Sequence, residues 1–329
     1  MNELNRKNKL LKLFKLQQYI REFFTGENFL DVLTPPAVRN PGMETHLHPF
    51  QLKSANTKTD KDFYLHTSPE FHMKELLSEG FEKIFTMSYC FRDEPSSDHH
   101  RFQFTMLEWY RTDEFYTKIM EDTQNLFQYC VKRFSDDGHT IDPRNKNVTP
   151  LKITVQELFK KELDIDILDY LEKDALSTLI REKFKDVPLP PKSQDHLLSW
   201  DDYYFLLFLN KVEPNLREHP FVLLYEFPRH LSALSTLKSE DTRVCERFEV
   251  YCHGIELCNC FNELTDLEIQ KDRFKQQVKL KEELYSYALP EPKVLYTALE
   301  KGLPTASGIA LGVERLLMAI TGEENPFYD

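Results

Sequence analysis

Glycine is scarce here: nine residues in 329, with no glycine-rich loop able to cradle phosphates through its backbone. A P-loop or dinucleotide-binding fold therefore has no support, and any nucleotide must be held by side chains. Long apolar runs are missing too. The N-terminal stretch MNELNRKNKLLKLFKLQQYI breaks its apolar residues with lysines and glutamines. It makes a poor signal peptide, and no segment is long and apolar enough to span a bilayer, so no membrane partner is expected. Positive charge is in deficit, with Lys plus Arg at 42 against 54 for Asp plus Glu and a net charge of −12. That excludes a protein that coats nucleic acid non-specifically, because phosphate neutralisation dominates such binding, while leaving room for a local basic patch. Internal repeats and low-complexity linkers are absent. The six cysteines come without a secretory signal, which implies reduced thiols and a cytoplasmic setting. What is present is a globular composition, 41% hydrophobic and 29% charged, in a chain long enough for one large domain or two modest ones.

The most informative stretch is FRDEPSSDHHRFQFTMLEWY, residues 91–110. Residues 84–91 and 102–110 are both aromatic and apolar at strand length. They flank a polar tip carrying Pro95, two serines, Asp98, His99, His100 and Arg101, a pattern that predicts a long antiparallel hairpin. Arg92 closes the first strand. Glu108 and Tyr110, two apart in the second, share a face. A cation, an acid and a phenol on one face, beside a basic loop, suit a zwitterion and a polyphosphate. An ordinary charged surface hairpin would explain the tip but not Glu108, since an unpaired carboxylate inside an apolar strand is costly.

Elsewhere, helical spacing over residues 4–24 predicts an amphipathic helix, ended by a turn at 25–28 and followed by a short strand over 29–33. His46 and His48 would share strand parity, but no third ligand lies nearby, so surface or half-buried histidines are the better reading than a metal site. Residues 63–69 read as a strand and 71–78 as a helix, with Ser68-Pro69 at the junction. Glu70 falls in the first helical turn, where it would complement the helix dipole. A helix is expected over 115–134, a boundary near Pro150, and a mainly helical insertion at about 151–220. Its very apolar segment WDDYYFLLFL (200–209) should be buried. Strands follow at 221–225, 243–251 and 255–264. In the last of these, Glu256 and Glu263 invite a Mg²⁺ reading, because that ion takes one or two carboxylates plus substrate phosphates. Their opposite parity requires a bulge or a strand end to reconcile them. Cys252, His253, Cys258 and Cys260 lack the spacing of a zinc site and read as small fillers. Finally, 307–312 is expected as a strand in which Gly308 and Gly312 permit close backbone approach. Arg315 then opens a helix, either for a nucleotide or in a buried ion pair.

FRDE, followed by a histidine and FTMLEWY, resembles motif 2 of the class II aminoacyl-tRNA synthetases. The nearest match is to the lysyl-tRNA synthetase branch and its paralogue group, the elongation factor P lysyltransferases. The first helix and strand into Thr34-Pro35-Pro36 resemble motif 1, a dimer-forming element in that family, and SGIALGVER (307–315) resembles motif 3. TSPE (67–70) and GIELCNCFNELTD (254–266) are similar to the family's lysine-pocket segments. The resemblance covers nearly the whole chain. It implies an α+β fold, a class II synthetase-like antiparallel sheet flanked by helices, with residues 1–329 as one catalytic domain, acting as a homodimer.

The resemblance also implies the chemistry: a substrate carboxylate attacks the α-phosphorus of ATP, giving an aminoacyl adenylate and pyrophosphate. Arg92 and Arg315 would be the catalytic residues, Arg92 holding the carboxylate and α-phosphate. Phe104 and Arg315 would sandwich adenine, Asp93, Glu94 and His100 would meet the nucleotide, and Glu256, Leu257 and Gly312 would complete the ATP site. Glu256 and Glu263 would hold Mg²⁺. Ser68, Pro69, Glu70, Glu108, Tyr110, Asn259, Phe261, Glu263 and Ala310 would form the amino-acid pocket, with Glu70, Glu108, Tyr110 and Glu263 around the substrate's ammonium groups. Motif 1 begins almost at residue 1, leaving no room for an N-terminal anticodon-binding barrel. The expected acceptor is therefore a lysine ε-amine of elongation factor P, the substrate lysine or β-lysine, and tRNA is not expected. Ala310 also matches the factor-modifying group, where the synthetases carry glycine. Three departures stand out: His100-Arg101-Phe102-Gln103-Phe104 loses an acid of the ATP loop, Cys260 replaces a glycine and should crowd the pocket, and Glu314 replaces an aspartate. Two other readings stay open. One is a stand-alone synthetase-like enzyme with another amino acid or acceptor, the other a non-catalytic regulatory paralogue.

Overall fold

A computed structural model describes residues 3–55, 62–97, 100–146, 148–324 and 327. In chain order the elements are α1 (Glu3–Gly26), β1 (Leu30–Asp31), β2 (Ala37–Val38), β3 (Gln51–Leu52), β4 (Phe63–Leu65), α2 (Glu70–Ser78), β5 (Lys83–Phe91), β6 (Gln103–Thr112) and α3 (Tyr116–Asp136). Next come β7 (Leu151–Thr154), α4 (Val155–Leu163), α5 (Lys173–Lys183), α6 (Trp200–Leu207), β8 (Val222–Pro228), β9 (Val244–Cys252) and β10 (Ile255–Asn262). The last are α7 (Leu267–Tyr285), α8 (Lys293–Glu300), β11 (Ala306–Gly312) and α9 (Val313–Thr321). They fall into two units, Met1–Asn145 with Glu263–Asp329, and Lys146–Asn262.

In the first unit the strand order runs β1-β5-β6-β11, and β2-β4-β3 form a small separate sheet. The expected hairpin is present: β5 pairs antiparallel with β6 from Lys83↔Arg111 to Phe91↔Gln103. Period-two alternation sorts its side chains. Phe85, Leu107 and Trp109 lie on one face, all fully buried. Phe24 of α1 stacks on Phe85 at 4.9 Å and meets Trp109 at 5.1 Å, so α1 covers that face. The apolar stripe responsible, Leu13, Leu16, Ile20 and Phe24, recurs at helical spacing and is buried. The other hairpin face carries Phe104, Met106, Glu108 and Tyr110. β11 sets Gly308 opposite Tyr110, Ala310 opposite Glu108 and Gly312 opposite Met106. The small residues of the neighbouring strand let that face pack closely, the Tyr110 ring lying against Gly308. α3 is fastened to β6 by a buried fork, Arg111 Nε and Nη2 donating to Asp122 at 2.6 and 2.9 Å.

In the second unit the order is β10-β9-β8-β7. Residues 151–220 form β7, three α-helices and short turns rich in buried apolar side chains. Trp200, Tyr203, Tyr204, Leu207 and Phe208 are buried, as expected for that segment, whereas Phe205 and Leu209 are exposed. A physical reason for so much helix is the pairing it connects: β7 and β8 are parallel, and parallel neighbours need a long crossover.

Each unit thus has antiparallel pairs plus one parallel edge pair, the other being β1 with β5, which the expectation of a purely antiparallel sheet did not include. Two local expectations also change. The strand after α1 is only two residues long. His46 and His48 lie outside any strand, their Nδ1 atoms hydrogen-bonded to Tyr285 and Tyr287 hydroxyls at 2.8 and 2.7 Å. Among the described residues no helix is long and apolar enough to cross a membrane.

Candidate active site

The site-bearing face of the first unit is built by three chain segments. Pro69 caps α2, so Glu70 begins the helix, and Ser68 Oγ turns back to accept from the Glu70 amide at 3.1 Å. The same hydroxyl donates to Glu108 Oε1 at 2.5 Å, while the Tyr110 hydroxyl donates to Glu108 Oε2 at 3.1 Å. Glu108 is 0% exposed, and burial, reinforced by Glu70 and Glu263, pushes its carboxyl up to about 8. Glu263 lies just beyond the end of β10, its amide bonded to the Ala306 carbonyl at 2.9 Å. Glu70, Glu108, Tyr110 and Glu263 are therefore brought together as expected, and each is held above its ordinary pKa chiefly by burial.

A residue the sequence reading missed sits among them. Lys74 is 1% exposed, with Nζ 2.7 Å from Glu70 Oε1 and 2.6 Å from Glu263 Oε2. Burial works to lower its pKa, but Glu263 and Glu70 outweigh it and the net shift is upward. Glu70 and Glu263 thus do not wait solely for a substrate amine, because each already shares an oxygen with a protein ammonium. The signal was a Glu→Lys pair one turn apart on a helix whose buried residues are Met73, Lys74 and Leu77. Gly308 makes the close packing possible, since a Cβ there would overlap the Tyr110 ring and come within 2.6 Å of Glu263 Oε1. Gly312 differs from expectation: a Cβ on it would meet Arg315 Cδ at an ordinary 3.5 Å, so close approach does not demand glycine there.

At the loop end of the hairpin the Arg92 guanidinium lies over the Phe104 ring, 5.2 Å from its centroid. Its Nε is buried and has no hydrogen-bond partner among the described residues. An orphaned guanidinium donor fits an anion, carboxylate or phosphate, arriving from outside. Arg315 Nη2 donates to His100 Nε2 at 2.9 Å, which puts the imidazole proton on Nδ1, 2.9 Å from Ser97 Oγ. Arg101 closes the loop by donating to the His100 carbonyl at 2.8 Å and lies over the Phe327 ring, so this departure has a structural role. The Asp93 amide donates to the His48 carbonyl at 2.7 Å. Asp98 and His99 lie outside the described residues.

Glu314 likewise proves structural: both its oxygens accept from the Thr105 amide at 3.0 Å, and burial pushes its carboxyl up to about 7. The bond ties the start of α9, and with it Arg315, to the residue after Phe104.

In the second unit Glu256 departs from strict alternation with the residues after it. β10 slips against β9 between Glu256 and Cys258, so Glu256 opposes Tyr251, Asn259 opposes Glu249, and Phe261 opposes Arg247. Opposed residues share a face, and this bulge puts Glu256 on the face of Asn259 and Phe261. Cys258 and Cys260 pair with Val250 and Phe248 on the opposite, buried face. Cys260 therefore does not crowd a pocket lined by Asn259 and Phe261. Leu257 is 2% exposed, so its side chain is packed in the core. The sequence reading also missed Arg247, whose Nε donates to Asn259 Oδ1 at 2.9 Å and Nη2 to Glu249 Oε1 at 2.6 Å. Its guanidinium lies against the rings of Phe227 and Phe261. With Oδ1 engaged, Asn259 presents its amide N–H groups, donors suited to an acyl or carboxylate oxygen.

Residues 2–325 match the family model of the class II tRNA synthetases for D, K and N. The chain is 34% identical to a Yersinia enterocolitica protein named elongation factor P–(R)-β-lysine ligase, over 96% of this chain and 91% of that one. It is 35% identical to the protein of the same name from Histophilus somni, over 96% and 92% of the two chains. The Salmonella paratyphi B protein of that name is 33% identical over 96% and 92%. With three motifs in order and a family match across almost its whole length, this chain belongs to the class II tRNA synthetases of the D, K and N group.

Proposed function

We propose that this chain is an ATP-dependent ligase that activates (R)-β-lysine as its adenylate and transfers the acyl group to a lysine ε-amine of elongation factor P. One observation carries the reading: buried acids for ammonium groups and an unpartnered Arg92 Nε for an anion share one face of the hairpin. The names and near-complete overlap of the relatives supply the substrate and acceptor.

In the first step a carboxylate oxygen of the amino acid attacks the α-phosphorus of ATP, the bond to the bridging oxygen breaks, and pyrophosphate leaves. No proton need move, so positioning and charge neutralisation dominate. Arg92 holds the attacking carboxylate and the α-phosphate. Phe104 and Arg315 take the two faces of adenine, with Asp93, Glu94 and His100 from the loop and Gly312 around the nucleotide. Glu108 and Tyr110, with the free oxygens of Glu70 and Glu263, take the substrate's ammonium groups beside Ser68, Pro69 and Ala310. In the second step the acceptor amine attacks the acyl carbon, AMP leaves with the bonding pair, and the amine loses a proton.

Glu256 is a hard carboxylate donor of the kind Mg²⁺ prefers, and would hold it against ligand phosphates, where it neutralises their charge. A cytoplasmic homodimer completes the reading, supported by the apolar Leu11, Phe14, Leu30 and Leu33, all 47% exposed or more, along motif 1.

The test is ATP–pyrophosphate exchange with α-lysine and both β-lysine enantiomers, then mass analysis of elongation factor P. Exchange greatest with (R)-β-lysine and a matching mass increase on the factor are expected. No exchange with any diamino acid, or charging of tRNA with the factor unmodified, would overturn it.

A further inference from the structure

The acidic pocket already contains an ammonium of the protein's own. Lys74 follows Glu70 by one helical turn and reaches both Glu70 and Glu263, so each of those carboxylates spends one oxygen on it and keeps one. Glu108, by contrast, is bonded by Ser68 and Tyr110, both neutral donors. Three carboxylates and one ammonium sum to −2 when all are ionised. Buried charge of that size is costly without counter-charge. A ligand with two ammonium groups brings the sum to zero, and a monoamine leaves −1. Without Lys74 the sum would be −3, beyond what a diamine balances, and Glu70 and Glu263 would repel one another rather than point their free oxygens at a ligand.

We propose that Lys74 is a positioning residue that sets substrate specificity: by taking one oxygen from Glu70 and one from Glu263, it fixes their orientation and tunes the pocket to a substrate with two ammonium groups. The inference rests on the amino-acid pocket proposed above.

The experiment is calorimetric binding of (R)-β-lysine and of 3-aminohexanoic acid, which has the same skeleton without the second amine. Wild type, Lys74→Met and the double variant Lys74→Met with Glu70→Gln, which returns the formal sum to −2, are compared. Wild type should prefer the diamine by about a hundredfold, consistent with a charged hydrogen bond. Lys74→Met should lose at least tenfold of that preference, and the double variant should recover most of the loss. If Lys74→Met does not fold, the double variant is compared with wild type directly, and a preference kept within tenfold supports the proposal. An unchanged preference in Lys74→Met, or a double variant that recovers nothing, overturns it. If wild type itself does not distinguish the two ligands, the reading of the pocket fails, and this inference with it.

Discussion

Replacing Glu108 by Gln separates two consequences of one buried carboxylate. Gln keeps the shape, and its oxygen can still accept from Ser68 Oγ while its amide donates to the Tyr110 hydroxyl, which turns from donor to acceptor, so both neighbours keep a hydrogen bond to residue 108. What is lost is charge. A hydrogen bond to a charged group contributes about 1.5–3 kcal/mol, so kcat/KM for the diamino acid should fall by roughly 10- to 150-fold. The 3-aminohexanoic acid background should change little. Stability should move the other way. The Glu108 carboxyl is raised to about 8 by burial, from an ordinary value near 4.5. A carboxyl raised on folding contributes stability that is complete below its unfolded pKa and is lost as pH rises through the folded one. That window is about pH 4.5 to 8, and the full loss is on the order of 5 kcal/mol for the empty enzyme. Glu108→Gln should therefore melt several degrees above wild type at pH 9 and close to it at pH 5. Substrate-dependent pyrophosphate exchange and melting at the two pH values provide the measurements. An unchanged substrate ranking, or a variant less stable than wild type at pH 9, would refute the reasoning.

Arg92→Ala should cut pyrophosphate exchange by at least about a hundredfold, as loss of a preorganised donor to developing charge does, and near-normal exchange would remove Arg92 from the mechanism. Gly308→Ala should raise the KM for the amino acid, because the new methyl displaces the Tyr110 ring and crowds Glu263 Oε1. Equal kinetics would show that the ring is not needed where it lies. Arg111→Met strands Asp122 as a buried lone charge and should lower unfolding free energy by about 3–5 kcal/mol in urea titration. A loss within 1 kcal/mol would mean that the fork is not what fastens α3.

The hairpin, the junction at Ser68-Pro69, the bracketing glycine-rich strand and the helix opened at Arg315 were legible in the residues, because each depends on periodicity and turn chemistry within a few neighbours. Family resemblance then supplied what periodicity could not: that Arg92, Glu108 and Arg315 belong to one kind of site. Three features lay beyond either. The Lys74–Glu263 contact joins a helix near the start to a strand end far along the chain, and nothing local in either segment encodes the other. Glu314 looked like a departure from a motif until its oxygens met the Thr105 amide, a partner 209 residues away. Glu256 and Asn259 have opposite parity in the sequence and the same face in the sheet, because the slip against β9 depends on what β9 presents. Sequence determined which side chains each element carries and which way they alternate. Tertiary packing alone decided which buried charges became partners, since that choice is made by desolvation and distance between segments the chain keeps apart.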